Sequence, residues 1–548
     1  MDNRLWKSDC QNGKYINPVL FADYSDPDVI RVEDTYYMTA SSFSYTPGLP
    51  ILISKDLVNW KLVNYAIDNL QYEQYNRPLH SKGVWAPSIR YHKGEFYIYY
   101  GMPDEGIFMV KSKNPLGKWE KPVCVLEGKG LIDPCPYWEK DEAYVIHGYA
   151  KSRIGFKSIL GIFKMSLDGK TAISEDKFLF DGQKTQPTIE GPKVYKRNGY
   201  YYIFAPAGGV RKGWQTVLRS KNIYGPYEER IVMEQKNSIT NGPHQGAWVD
   251  TKTGEDWFLH FQDMGFYGRV MHLQPMRFCD DWPVIGLSDD NYCGKPVLEN
   301  TKPKVQGVKQ AELSYLEASD DFEVKLDKLE RRKLKGEPKP SLQWQWTGNH
   351  NDSFYSLTEL PGFLILKSIN PNKEEVPSLL KMPNILTQKI VTPCFIATTR
   401  LYYKGLKENE QAGMCMIGGN YAYVAARNID GVCKLIYVKS NKNEDGSIEE
   451  EVKELLELPE NFNNITLCIS LDRKKEALEK NPIALKSEDI DFGISYAFPM
   501  ENFRSIDTDF VPVDDTWVGS KLGLFSYALD CEEHDGIAAF EYFGVDSL

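Results

Sequence analysis

Five repeated units in the first half of the chain restrict its fold more than any other feature. Each unit opens on a polar or aromatic anchor beside Pro or Gly, continues into an aromatic-rich strand pattern, and ends on a third strand and a closing aromatic. The first carries Asp26-Pro27-Asp28-Val29-Ile30, Thr35-Tyr36-Tyr37-Met38, Leu52-Ile53-Ser54 and Trp60. The second carries Val84-Trp85-Ala86-Pro87-Ser88, Glu95-Phe96-Tyr97-Ile98-Tyr99, Phe108-Met109-Val110 and Trp119. The third runs through Ile132-Asp133-Pro134, Ala143-Tyr144-Val145-Ile146 and Gly161-Ile162-Phe163. The fourth has Ile189-Glu190-Gly191-Pro192, Tyr200-Tyr201-Tyr202-Ile203-Phe204, Val217-Leu218-Arg219-Ser220 and Tyr227. The fifth has Gly242-Pro243-His244-Gln245-Gly246, Trp257-Phe258-Leu259-His260, Arg269-Val270-Met271-His272 and Trp282-Pro283.

The anchors Asp26, Trp85, Asp133, Glu190 and His244 are 59, 48, 57 and 54 residues apart. A four-stranded blade of about 40–50 residues plus loops fits those intervals. Lys93-Gly94-Glu95 and Arg197-Asn198-Gly199 read as hairpin turns between adjacent strands. A five-bladed β-propeller accounts for all three recurring features, whereas a β-sandwich would leave the spacing a coincidence.

A chain of 548 residues needs more than one core, so further domains are expected. Aromatics make up 13%, with 33 Tyr and 12 Trp, which suits both strands and sugar-stacking surfaces. The net charge of -11 argues against nucleic acid or an anionic membrane as partner and is compatible with a neutral substrate. No run of 18 apolar residues is present to span a bilayer. The start, Met1 to Trp6, lacks the apolar core of a signal peptide, which leaves a periplasmic or secreted protein after signal removal, or a cytoplasmic one. The ten cysteines are scattered without a C-x-x-C pair and read as free thiols or small core residues.

The first strand of each blade lines a propeller's axis, so the five anchors converge at one end of the channel. Three carboxyls, Asp26, Asp133 and Glu190, would then meet in one pocket with Trp85 and His244. Desolvating several like charges together costs stability, so such a cluster points to function. Glycoside hydrolysis needs this set: one carboxylic acid protonates the leaving oxygen, and a second carboxylate activates water or attacks carbon. A third can hold the acid protonated by like-charge repulsion and orient it. Asp28 is the nearest rival to Asp26, because strand alternation places both on one face.

At these residues the chain resembles glycoside hydrolase family 43, the five-bladed β-xylosidases and α-L-arabinofuranosidases. The likeness is carried over roughly residues 15 to 290 by Asn17-Pro18-Val19-Leu20, Ser25-Asp26-Pro27-Asp28-Val29-Ile30-Arg31, Ser41-Ser42-Phe43 with Pro47-Gly48, and Ser54-Lys55-Asp56-Leu57-Val58-Asn59-Trp60. Gly83-Val84-Trp85-Ala86-Pro87-Ser88, Leu131-Ile132-Asp133-Pro134, Ile189-Glu190-Gly191-Pro192, Gly268-Arg269-Val270 and Gln274-Pro275-Met276 complete it. The resemblance implies an inverting enzyme with Asp26 as general base, Glu190 as general acid and Asp133 tuning and orienting Glu190. It also implies a carboxyl separation of about 6.5–9.5 Å between base and acid. Phe43 and Trp85 are implied as walls of the terminal-sugar subsite, and Arg269 as a cation on sugar hydroxyls. His244 is implied to order water or a calcium ion, with a satisfied core histidine as the alternative; Gln245 and Gln262 read equally as polar pocket residues. No cofactor is required, and a structural calcium is the one metal the resemblance allows.

After the propeller, placed at 1–300, a linker is expected at 301–314, with a charged run at Leu329-Glu330-Arg331-Arg332-Lys333 beyond it. From about 315 to 548 short strands recur, among them Phe363 to Leu366, Ile396 to Leu401, Gly413 to Ile417, Tyr421 to Val424 and Ala538 to Phe543. This pattern reads as a β-sandwich. It resembles the jelly-roll attached to many family 43 β-xylosidases at Leu342-Gln343-Trp344-Gln345-Trp346, Asn349-His350-Asn351-Asp352 and Trp517 to Phe525. In such proteins a sandwich loop closes one side of the pocket and shortens it to one or two sugar rings. The expected activity is release of terminal pentose from xylan- or arabinan-type plant cell-wall oligosaccharides, by β-xylosidase action first and α-L-arabinofuranosidase action as the alternative. A non-catalytic carbohydrate-binding propeller would need one carboxyl missing from the set, and a protein-interaction propeller rarely carries three axial carboxyls.

Overall fold

The computed structural model describes residues 4–305, 313–325, 336–371, 373, 378–443, 447–474 and 489–548. The expected charged run at 329–333 and residues 306–312 of the expected linker lie outside them. The chain divides into two compact units. One holds Met1–Gln71, Ser81–Met264 and Gly268–Leu316; the other holds Tyr72–His80, Gly265–Tyr267 and Glu317–Leu548.

The first unit contains five four-stranded antiparallel sheets, each built from consecutive strands. Their innermost strands are Asp28–Val32, Trp85–His92, Leu131–Glu139, Lys193–Arg197 and His244–Asp250. This is the expected five-bladed propeller. The hairpin signals are realised in the backbone: Lys93 and Gly94 have φ of 48° and 85°, and Asn198 and Gly199 have φ of 50° and 80°. Positive φ at both central residues gives the turn a twist that matches the strands it joins.

Blade stacking explains why the second strands read as unbroken aromatic runs. In Tyr200–Ala207, successive side chains point to opposite faces. Tyr201, Ile203 and Ala205 pack with Ile146, Leu160 and Ile162 of blade 3. Tyr202 and Phe204 pack with Phe258, Met276 and Trp282 of blade 5. A strand buried on both faces has no polar phase to alternate with. The closing aromatics stand at or just before the fourth strands, where Trp60, Trp119 and Trp282 are buried.

Because no blade is shared between the two ends of the unit, the ring is tied by the N-terminal segment. Lys14–Ile16 pairs with Glu299–Thr301. The Asn17 amide donates to the carbonyls of Leu273 and Val297, and its oxygen accepts from Leu273 N–H. These bonds hold the segment leading into blade 1 against blade 5.

The second unit contains two seven-stranded antiparallel sheets, and it is the expected β-sandwich. The strands anticipated in it appear as Leu364–Lys367, Phe395–Tyr402, Glu410–Ile417, Tyr421–Ile429 and Ile537–Ser547. Trp344 and Trp346 are buried in it, the former donating to Asp320 at 2.8 Å. All ten cysteines are free thiols, four of them buried.

Candidate active site

The inner strands begin with an unusual backbone. Asp26, Ala86, Asp133, Gly191 and Gln245, one in each blade, have φ of 55°, 28°, 57°, 57° and 31°. In blades 2, 3 and 5 the pairing register also slips there. Such left-handed residues cost free energy, and they re-aim side chains at one end of the channel. They also correct the repeat register. Asp26 and Asp133 occupy the left-handed position itself, whereas Trp85, Glu190 and His244 stand one residue before it.

Asp26 is buried and fully engaged on one oxygen. Its Oδ2 accepts from the hydroxyls of Ser25 at 2.8 Å and Ser41 at 2.6 Å. Its Oδ1 accepts from Arg269 Nη1 at 2.9 Å. The same nitrogen donates to Ser25 Oγ at 2.6 Å, and the Arg269 backbone N–H donates to Asp23. Ser41 Oγ also accepts from Ala86 N–H at 2.7 Å, so one hydroxyl links Asp26 of blade 1 to blade 2 beside Trp85.

Asp28 does not share this setting. The strand starts at Asp28, so Asp26 lies before it on a left-handed residue and the alternation rule does not relate the two. Asp28 Oδ2 accepts from Ile89 N–H at 2.7 Å and Arg90 Nη1 at 2.5 Å, a tie between blades 1 and 2 in which the Asp28 carboxylate is fully buried.

Asp133 is 2% exposed and accepts the Gly191 N–H at 2.8 Å on Oδ2. Burial, reinforced by the nearby Glu190 and Asp26 carboxyls, pushes its pKa well above the usual carboxylate range. Glu190 is the carboxyl that reaches out: its side chain is 26% exposed, and Oε1 lies 2.8 Å from His244 Nε2. His244 itself is fully buried, with its Nδ1 unpaired.

The remaining expected residues gather in the same unit. Phe43, at φ 52°, exchanges two 3.0 Å backbone hydrogen bonds with Val84, the neighbour of Trp85. Arg153 lies 5.2 Å over the Trp85 indole and is held by Asp104 and the Ser81 carbonyl. Gln245 approaches Asp133 Oδ2 at 3.5 Å, while Gln262 bonds Asn241. Residue-by-residue reading missed Ser25, Ser41 and Arg153. The two serines open the Ser25-Asp26-Pro27 and Ser41-Ser42-Phe43 motifs, but their partners are set by blade stacking, which no local pattern records. Among the described residues no group of three or more His, Cys, Asp or Glu is arranged to hold a metal. A calcium ion takes six to eight oxygen ligands, backbone carbonyls and waters among them, and the carboxylate within hydrogen-bond reach of His244 is that of Glu190.

Three carboxyls at one mouth of a propeller, two of them buried and one open to solvent, make a site for acid–base cleavage of a glycosidic bond. The comparisons agree with this chemistry. Residues 15–283 match the glycosyl hydrolases family 43 model, and residues 336–546 match the β-xylosidase C-terminal concanavalin A-like domain. A putative β-xylosidase of Xylanibacter ruminicola is 40% identical over 79% of this chain and 75% of its own length. A β-xylosidase of Formosa agariphila is 30% identical over 98% of this chain and 90% of its own. The crystal structure of a xylan β-1,4-xylosidase from Bacillus halodurans shares the fold, with a TM-score of 0.79 over 97% of this chain and all of that one, at 21% identity. The chain belongs to glycosyl hydrolase family 43.

Proposed function

We propose that the protein is an exo-acting β-xylosidase that releases terminal xylose from xylan-type oligosaccharides of plant cell walls with inversion. The hydrogen bonding of the Asp26 and Glu190 carboxyls carries the assignment. Each carboxylate oxygen has two acceptor positions. Asp26 Oδ2 has both filled by serine hydroxyls, and Oδ1 has one filled by Arg269. The remaining position on Oδ1 suits one nucleophilic water, with Arg269 and the serines fixing the carboxylate's plane. Glu190 Oε1 is occupied by His244, which leaves Oε2 for the leaving glycosidic oxygen.

In the reaction Glu190 gives its proton to that oxygen as the bond to the anomeric carbon breaks. Asp26 takes a proton from the water that attacks the opposite face, and the product emerges with inverted configuration. Asp133 orders the Gly191 turn beside Glu190. Phe43 and Trp85 wall the terminal sugar, and Arg269 acts first on Asp26 and through it on substrate. β-Xylosides and α-L-arabinofuranosides offer similar stereochemistry at the reacting carbon, so both are assayed side by side as aryl glycosides. The expected result is higher kcat/KM on the β-xyloside, with α-xylose as the first anomer in the NMR spectrum. Preference for the arabinofuranoside would transfer the assignment to arabinofuranosidase, and β-xylose as first product would overturn inversion.

A further inference from the structure

At the end of the channel away from the carboxyls, the inner strands open into a cup of about 830 Å³. This lies within the range of small-molecule sites, roughly 300–1,000 Å³. We propose that the cup is a second carbohydrate-binding site that takes a short, neutral stretch of glycan chain. The choice of a xylan-type chain rests on the function proposed above.

The lining carries rings on four of the five blades: Tyr91, Tyr137, Trp138, Tyr195 and Trp248. Their contacts leave ring area open while fixing orientation. Trp138 stacks on His92, with centroids 4.7 Å apart and planes 11° apart. Trp248 is clamped by its N–H bond to Asp256 at 2.8 Å and packs on Tyr195 at 5.1 Å. Tyr91 is 46% exposed. Among the described residues neither the Tyr91 nor the Tyr137 hydroxyl has a hydrogen-bond partner, so each can serve a ligand. Rigid rings with polar edges match the alternating apolar faces and hydroxyl rims of sugars.

The charges argue for neutrality in the ligand. Every lining cation already has a carboxylate: Arg90 has Asp28, Arg31 has Asp250, Lys196 has Glu139, and Arg197 has Asp281. No cation is left over for a phosphate or uronate, which disfavours nucleotides despite the stacking surface.

The cup is separate from the reacting pocket. From Asp133 to Trp138 the strand covers about 16 Å at roughly 3.3 Å per residue. Between the two lie the Asp28–Arg90 pair and the buried Lys193, whose Nζ is bound to Pro87 O and Ser88 Oγ. A glycan in the cup therefore does not enter the active site. It keeps the enzyme on the polymer and raises the local concentration of chain ends.

Affinity electrophoresis of the full chain through gels containing soluble arabinoxylan tests this, using Glu190→Gln protein so that the polymer stays intact. Retardation of the parent is expected. The Tyr91→Ala/Tyr137→Ala pair should weaken it about tenfold, and the Tyr91→Phe/Tyr137→Phe pair should retain most of it. In the active background the alanine pair should keep aryl β-xyloside turnover within about twofold. Should the pair fail to fold, Tyr91→Ala alone, at an exposed ring, should show a smaller loss in the same direction. An unretarded parent, alanine variants as retarded as the parent, or stronger retardation on polygalacturonate than on arabinoxylan would each overturn the proposal. Tyr91/Tyr137-dependent retardation in a protein that cleaves no aryl glycoside would instead remove the hydrolase assignment and leave this site standing.

Discussion

Arg269 and Asp26 form one buried ionic unit, with Nη1 2.9 Å from Oδ1 and each side chain 7% exposed. Removing one partner of such a pair leaves the other as an uncompensated buried charge, at a cost of about 3–5 kcal/mol. Arg269→Met is therefore expected to lower unfolding stability by that order and to abolish turnover. Arg269→Met combined with Asp26→Asn should recover much of the stability and none of the activity. Chemical denaturation of the four proteins as a double-mutant cycle measures the coupling. Additive effects would show that the pair is not a unit.

Glu190 and His244 are predicted to separate by leaving group. Glu190→Ala should cost about 10²–10⁴-fold in kcat on xylobiose, whose leaving alcohol needs a proton, and far less on an activated aryl xyloside. His244→Phe removes the hydrogen bond that fixes Oε1. It should lower kcat on xylobiose with little change in KM, because it disturbs aim and not binding. Equal losses on both substrates in Glu190→Ala would exclude the acid role.

The blades could be read from the sequence because strand period and hairpin chemistry are local. Asn198-Gly199 demands a tight turn wherever it occurs between strands. The anchor register could not be read in the same way. Asp26, Ala86, Asp133, Gly191 and Gln245 share a left-handed backbone and no common side chain, so residue type gives no sign of their equivalence. Periodicity likewise does not separate Asp26 from Asp28, because alternation applies only within a strand and the strand begins after Asp26; the choice of Asp26 rests on the family resemblance. The three carboxyls were visible as types at repeat positions. The hydroxyls of Ser25 and Ser41, which orient Asp26, depend on how blades meet.

Asp133 gives a pH prediction with a definite sign. Burial, with Glu190 and Asp26 adding to it, raises its pKa in the folded protein above the unfolded value of 3.8. Between those two values the unfolded chain releases a proton that the folded chain keeps, so stability falls as pH rises. The contribution is fully favourable below the unfolded pKa and is lost by the folded pKa. Asp133→Asn keeps an acceptor for Gly191 N–H and removes the titration. It should therefore raise Tm at neutral pH, with the gain shrinking towards pH 4, while activity is lost. A Tm difference that does not change with pH would show that Asp133 carries no burial penalty.

Gly191 joins backbone conformation to chemistry, and its substitution tests both. Its φ of 57° is in the left-handed region, and a Cβ there would meet the Gln245 side chain at 2.8 Å. Left-handed backbone costs a residue with a Cβ roughly 1–2 kcal/mol. Gly191→Ala should thus destabilise by about that amount through the backbone alone, and by more through the contact. Adding Gln245→Ala should relieve only the contact. Any shift of residue 191 moves the N–H that Asp133 accepts and the adjoining Glu190, so kcat should fall further than stability does. Circular-dichroism melts together with kcat on xylobiose distinguish the two effects. A Gly191→Ala protein with unchanged kcat and lowered Tm would show that the turn supports the fold without positioning the acid.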